Sequence, residues 1–68
     1  MLTYHLDPKR KTPLYVQLYR AIRADILSGA LPENSRLPAK RPFAEHLEIS
    51  RITVESAYAQ LLAEGYVY

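Results

Sequence analysis

The chain has 68 residues, no cysteine and a formal net charge of +2, which allows one small domain and excludes a disulfide framework. Stability must come from a helix-packed apolar core, from a partner or from further chain, because so short a sequence buries a low fraction of its surface. An apolar content of 49% and a charged content of 24% are those of a globular domain rather than a disordered one. No apolar run approaches a membrane span, and the start "MLTYHLDPKRK" lacks an apolar export segment, so a cytoplasmic protein without a membrane partner is expected.

The first eleven residues show no periodicity and read as an extended arm. Its Lys9, Arg10 and Lys11 against Asp7 leave a local charge of +2. That cluster suits either a soluble tail or an arm that clasps phosphate, with the tail the simpler reading. The stretch 36–53 also nets +2, from Arg36, Lys40, Arg41 and Arg51 against Glu45 and Glu48, whereas the last fifteen residues carry only Glu55 and Glu64. Positive charge therefore gathers at the head and the middle, as an anion-facing surface requires.

"TPLYVQLYRAIRADILSG" is predicted to be the first helix, with Thr12 as N-cap, Pro13 at the first helical position and Ser28-Gly29 as the stop. Tyr15, Leu18, Tyr19, Ile22 and Ile26 form its apolar stripe, with Arg20 and Arg23 off it. "ALPENSRLP" is punctuation, with one strand rung expected at 36–37. A short helix then starts close to Ala39 or Lys40. It tolerates Pro42 only near its beginning and, lacking a good cap, should be the weakest of the three. After a turn near Glu48-Ile49, Ser50 caps a third helix over 51–64 that stops at Gly65. Val54, Ala57, Tyr58, Leu61 and Leu62 form its core stripe. A strand is expected to start at Tyr66, with Tyr66 and Tyr68 on one face.

A short helix, a turn of about three residues and a longer helix make a helix-turn-helix, here over roughly 40–59, whose second helix enters the major groove by its N-terminal end. Projected at 100° per residue, Ile52, Ser56, Ala59 and Ala63 face away from the core, flanked by Thr53, Glu55 and Gln60. Small side chains at 56, 59 and 63 let the backbone approach a surface closely. Arg51, Thr53 and the first-turn amides can meet phosphates or base edges.

The segment "PLYVQLYRAIRADILSGALPENSRLPAKRPFAEHLEISRITVESAYAQLLAEGYV" resembles the N-terminal winged helix-turn-helix of GntR-type transcription regulators. The pieces that carry the resemblance are "PLY-QLY--I---I-SG" and "RLP--R--A--L-ISR-TV--AY-QL-AEGY", with the spacing between them, over residues 13–67. The resemblance implies a mainly α domain over 12–68: three helices, a strand near 36–37 and a first wing strand from 66. It also implies a hairpin wing truncated at Tyr68. It further implies sequence-specific binding of double-stranded DNA, with Arg41, Ser50, Arg51 and Thr53 in contact. An operator of two-fold or direct-repeat form and a homodimer held by a C-terminal effector domain absent from this chain are expected with it. The ending "AY-QL-AEGY" is similar to the MocR-like branch. There the C-terminal domain resembles an aminotransferase and binds pyridoxal phosphate; no cofactor or metal is expected in this chain.

Three positions depart from the family pattern. Glu48 stands where glycine is frequent, at a cost of roughly 1 kcal/mol if the turn is left-handed. Ile52 replaces a commonly polar residue and would prefer a thymine methyl. Glu55 replaces a commonly basic residue; it would repel phosphate but could accept from a cytosine amino group. Fewer phosphate contacts are therefore expected from the third helix, with Lys40, Arg41 and the arm compensating. The candidate DNA-binding residues are Lys40, Arg41, Ser50, Arg51, Ile52, Thr53 and Ser56. The alternative is a winged-helix module for protein–protein contact through the apolar outer face of Ile52, Ala59 and Ala63. Without a glycine-rich phosphate loop or a nucleophile–base pair, nothing supports an enzyme. His5 and His46 read as surface residues, and Tyr15, Tyr19 and Tyr58 as core rather than a base-stacking platform.

Overall fold

Three helices make up the regular structure of the residues described, 2–32 and 36–67, in a computed structural model: α1 (Leu14–Ser28), α2 (Lys40–Leu47) and α3 (Arg51–Ala63). The mainly α class read from the sequence is the class observed. The backbone of α3 lies close to both other helices, while those two stay farther from each other. Leu18 and Ile22 of α1, Phe43 of α2 and Val54, Ala57 and Leu61 of α3 are wholly buried in one core. Each large member contributes about 1.5–3 kcal/mol by leaving water. The Phe43 and Tyr58 rings stack with centroids 6.2 Å apart, and Tyr58 donates its hydroxyl to Pro38 O at 2.9 Å. Burial pushes that phenol up to about 12.

The stripes hold in their centres and fail at their edges. Tyr15 is 40% exposed and Leu62 57% exposed, although both were expected in the core. Tyr15 lies one turn before Tyr19, whose hydroxyl already meets the last turn of α3 at Glu64, so α3 offers Tyr15 little cover. On α3 the buried face is centred nearer Ala57 than Tyr58, which rotates Leu62 roughly 100° away from that centre. Ile26 and Tyr58 are partly buried.

Helix α1 begins one residue later than the sequence suggests. Pro13, extended at φ −56° and ψ 150°, stands at the N-cap, and Thr12 makes no capping bond. The Thr12 carbonyl instead accepts Gln17 Nε2 at 2.8 Å. α2 starts after Ala39, which supplies no side-chain cap. Its first capping amide bond runs from Phe43 N–H to Ala39 O at 3.1 Å, so Pro42 precedes the point at which a missing donor would matter. α3 ends at Ala63, one residue short of the expectation.

Neither strand forms among the described residues: 36–37 and 66–67 are irregular. A strand exists only as a backbone pairing with a neighbour, and Tyr66 commits its N–H to Leu61 O at 2.9 Å. With Gly65 N–H on Leu62 O at 3.1 Å and Gly65 at φ +80°, this is a Schellman closure of α3. Tyr68, expected on the same strand face, lies outside the described residues.

α2 closes in the same way without a glycine. Glu48 N–H reaches Glu45 O at 3.2 Å and Ile49 N–H reaches Ala44 O at 3.0 Å, while Glu48 adopts φ 59° and ψ 43°. That left-handed conformation brings a Cβ close to the following carbonyl.

The arm is extended, as expected, but it is not loose. Leu2, Tyr4 and Leu6 pack on the core while Thr3, His5 and Asp7 face outward, a period of two. Gln17, 8% exposed, is the buried polar residue that fixes it. Its Nε2 donates to Asp7 O at 2.9 Å and its Oε1 accepts Asp7 N–H at 2.9 Å. Tyr4 donates to Asp25 Oδ2 at 2.7 Å, and burial followed by that bond raises its pKa above the ordinary phenol range. Thr3 Oγ1 and His46 Nε2 are hydrogen-bonded at 2.8 Å. Behind this, Pro8–Arg10 turn back on Asp7, which accepts Lys9 N–H at 2.9 Å and Arg10 N–H at 3.3 Å.

Two substitutions test these constraints. Glu48→Gly relieves the left-handed strain and should stabilise the domain by about 1 kcal/mol. Thermal denaturation would then show a midpoint higher by roughly 4–8 °C. Gln17→Ala removes the arm's anchor. Amide hydrogen exchange at Asp7 should accelerate at least tenfold, and the domain should lose roughly 1–3 kcal/mol in a urea titration.

Candidate nucleic-acid interface

The joint between α2 and α3 is three residues long, Glu48, Ile49 and Ser50. Ser50 is extended at φ −73° and ψ 151°, and its Oγ accepts Thr53 N–H at 3.1 Å. The two hydroxyls, Ser50 Oγ and Thr53 Oγ1, lie 2.7 Å apart and share one hydrogen between them. Whichever donates inward, the other hydroxyl keeps its hydrogen for an outside acceptor. Val54 N–H makes the first bond of the helix, to Ser50 O at 3.3 Å, so the amides of Arg51 and Ile52 stand ahead of the ladder and point out from its end. This capped terminus thus presents one hydroxyl, two amides and the positive end of the helix dipole.

Around it, Arg41, Ala44, Glu45, Ile49 and Arg51 line an open groove of about 390 Å³. Arg41 from the first turn of α2 and Arg51 from the first turn of α3 therefore belong to one concavity. Lys40 and Ile52 are exposed, Ile52 at 69%, but neither lines the groove. Thr53 and Ser56 are partly buried, Thr53 because its hydroxyl is turned to the cap. Arg51 is not solitary: its Nε lies 3.1 Å from Glu55 Oε1, one turn along α3. The GntR resemblance had singled out Arg41, Ser50, Arg51 and Thr53; the fold brings Arg41 and Arg51 into one concavity and sets the Ser50–Thr53 cap at the start of the helix that carries Arg51. Glu45 and Ile49 of the groove carried no signal of their own. The Arg51–Glu55 pair did: arginine and glutamate four apart on a helix face each other.

At its other end α3 is tied to α1. Tyr19 donates its hydroxyl to Glu64, which also accepts Gln60 Nε2 at 2.5 Å. Arg23 donates to the Tyr19 hydroxyl at 2.9 Å and sits 5.0 Å from its ring centroid. The bond from Tyr19, and then that from Gln60, hold the Glu64 carboxyl below the usual carboxylate range, and the same contact raises the Tyr19 phenol. The groove end of α3 is thereby left to its cap, while the far end is clamped.

Residues 14–68 match the family described as "Bacterial regulatory proteins, gntR family". The chain belongs to the gntR family. It is 47% identical over 66 residues to the uncharacterized HTH-type transcriptional regulator YhdI of Bacillus subtilis (strain 168), covering 97% of this chain and 14% of that protein. It is 48% identical over 62 residues to the probable rhizopine catabolism regulatory protein MocR of Rhizobium meliloti, covering 91% of this chain and 13% of that one. Among solved structures, YtrA from Sulfolobus acidocaldarius, a GntR-family transcription factor, superposes with a TM-score of 0.86 at 35% identity, over 91% of this chain and 53% of that one. The gntR chain thus spans about one seventh of the length of these two curated relatives. It carries the helix-turn-helix domain of such regulators. No helix among the described residues is long and apolar enough to cross a membrane.

If Ser50 starts α3 as this geometry requires, Ser50→Ala leaves the Thr53 amide without its acceptor. It should cost about 1 kcal/mol in a urea denaturation, and exchange at the Thr53 amide should quicken before exchange in the core does.

Proposed function

We propose that this gntR domain binds double-stranded DNA as the N-terminal part of a bacterial transcription regulator. The N-terminal end of α3 lies in the major groove and α2 across its edge. The observation that carries the reading is that Arg41 and Arg51 line one open groove at the capped start of α3. A duplex presents closely spaced phosphates beside base edges. Lys40 and Arg41, on the exposed first turn of α2, suit phosphates. Arg51, Thr53 and Ile52 suit the groove floor, with Ile52 available to a thymine methyl. Whichever hydroxyl of the Ser50–Thr53 cap keeps its hydrogen offers it to the DNA backbone, and Ser56 keeps the helix surface low. The remainder of a protein as long as its relatives would supply dimerisation and effector binding, on an operator of two-fold or direct-repeat form. If the MocR likeness extends that far, pyridoxal phosphate would be held there, and we assign it no residue of this chain.

One observation favours a second reading. Ile52, 69% exposed, puts a bare apolar side chain in the first turn of α3 beside that groove, as a protein-contact module would. Salt separates the two, because phosphate binding releases counterions and apolar contact does not.

Fluorescence anisotropy against a labelled random duplex pool, in a salt series, tests the proposal. Affinity should fall linearly on a log–log plot, and Arg41→Ala should flatten the slope by about 0.9. Arg51→Ala should weaken binding to the sequences enriched from the pool about tenfold. Salt-independent or absent binding by the folded protein would move the protein-contact reading ahead.

A further inference from the structure

Resting on the DNA reading above, we propose that Glu55 is a specificity-determining residue. It grips Arg51 by the Nε edge of the guanidinium, so that the opposite edge of the fork is offered to a guanine rather than to phosphate. The contact is Arg51 Nε to Glu55 Oε1 at 3.1 Å, with the two side chains 58% and 39% exposed. A guanidinium has five N–H donors in a rigid plane. With the Nε side on a carboxylate, the two terminal nitrogens remain as a pair. Two donors side by side match the O6 and N7 acceptors on the major-groove edge of guanine.

Helix stability does not account for the pair. Exposed ion pairs contribute little, and this one has the less favourable order, with the cation on the N-terminal side. Arg51 stands in the first turn, against the positive end of the helix dipole. A device for stability would exchange the two residues. The surroundings fit a role at a surface. The Ser50–Thr53 cap fixes where α3 begins, hence where Arg51 leaves the backbone. Exposed Ala59 and half-buried Ser56 keep the adjoining helix face shallow. The carboxylate acts on phosphate as well as on arginine. Its charge discourages Arg51 from settling on the nearest backbone oxygen, so the contact that survives is the one to a base.

The test uses four proteins: the unaltered chain, Glu55→Gln, Arg51→Lys and the double variant. Each is confirmed as folded by its circular dichroism melt and taken through selection from a randomised duplex pool and an anisotropy salt series. The unaltered chain should enrich duplexes with a fixed guanine. Glu55→Gln should lose about tenfold of that preference and gain affinity for unselected duplex, its salt slope steeper by about 0.9 as Arg51 moves to phosphate. Lysine has no fork to orient, so Glu55→Gln should change the guanine preference no further in the Arg51→Lys background. Unchanged enrichment and slope in Glu55→Gln would overturn the proposal and leave DNA binding standing. A steeper slope with the guanine preference intact would make Glu55 a simple neutraliser, which also overturns it. Absence of salt-dependent binding by all four proteins would overturn the DNA reading and this proposal together.

Discussion

Everything in this domain hangs on α3, whose backbone lies close to both other helices while those two stay farther apart. One helix therefore fills the core with Val54, Ala57 and Leu61 and turns its other side outward. The division leaves no slack in its rotation. A turn of 100° per residue separates Leu61, wholly buried, from Leu62, mostly exposed. What fixes the rotation is the pairing of a clamp at the far end, Tyr19 with Glu64 and Gln60, and a cap at the near end, Ser50 with Thr53.

The three-residue joint follows from that constraint. For Arg41 and Arg51 to share a groove, α2 must stop abruptly and the chain must reverse into α3 at once. The Schellman closure at Glu48 achieves this with a residue that adopts the left-handed conformation reluctantly. Local strain is accepted where the geometry of a surface depends on it. α3 ends by the same closure at Gly65, where no such strain is needed.

Much of this was legible in the residues. The helices and the Ser50 cap follow from periodicity and capping chemistry, and the GntR-like pattern drew attention to Glu48 in the turn and to Arg41 and Arg51, which share the groove. The rest depended on tertiary partners that no single helix encodes. Tyr15 fits its stripe and is left half-bare because α3 barely reaches it. Thr12 has the right side chain for a cap, but its carbonyl answers to Gln17, a residue that helix propensity leaves unremarked. The strands at 36–37 and 66 had suitable residues and no pairing partner among the described residues. The arm's alternation of Leu2, Tyr4 and Leu6 emerges only in the structure, where these three pack on the core. Three residues of alternation establish no period without the surface they cover.

The attachment of α2 has a consequence for the order in which the molecule loosens. α2 is eight residues long and has no side-chain cap at its start; among the described residues its backbone lies close to α3 alone of the helices, and His46 bonds Thr3 of the arm. α1 and α3, by contrast, are riveted to each other by side chains 45 positions apart in sequence. A short helix attached in this way is expected to open before α1 and α3 do. The Arg41 side of the groove is therefore built on the helix expected to loosen first. Any ligand that bridges Arg41 and Arg51 would lower the entropy of α2 as well as meet its charge, and the affinity observed would be net of that ordering.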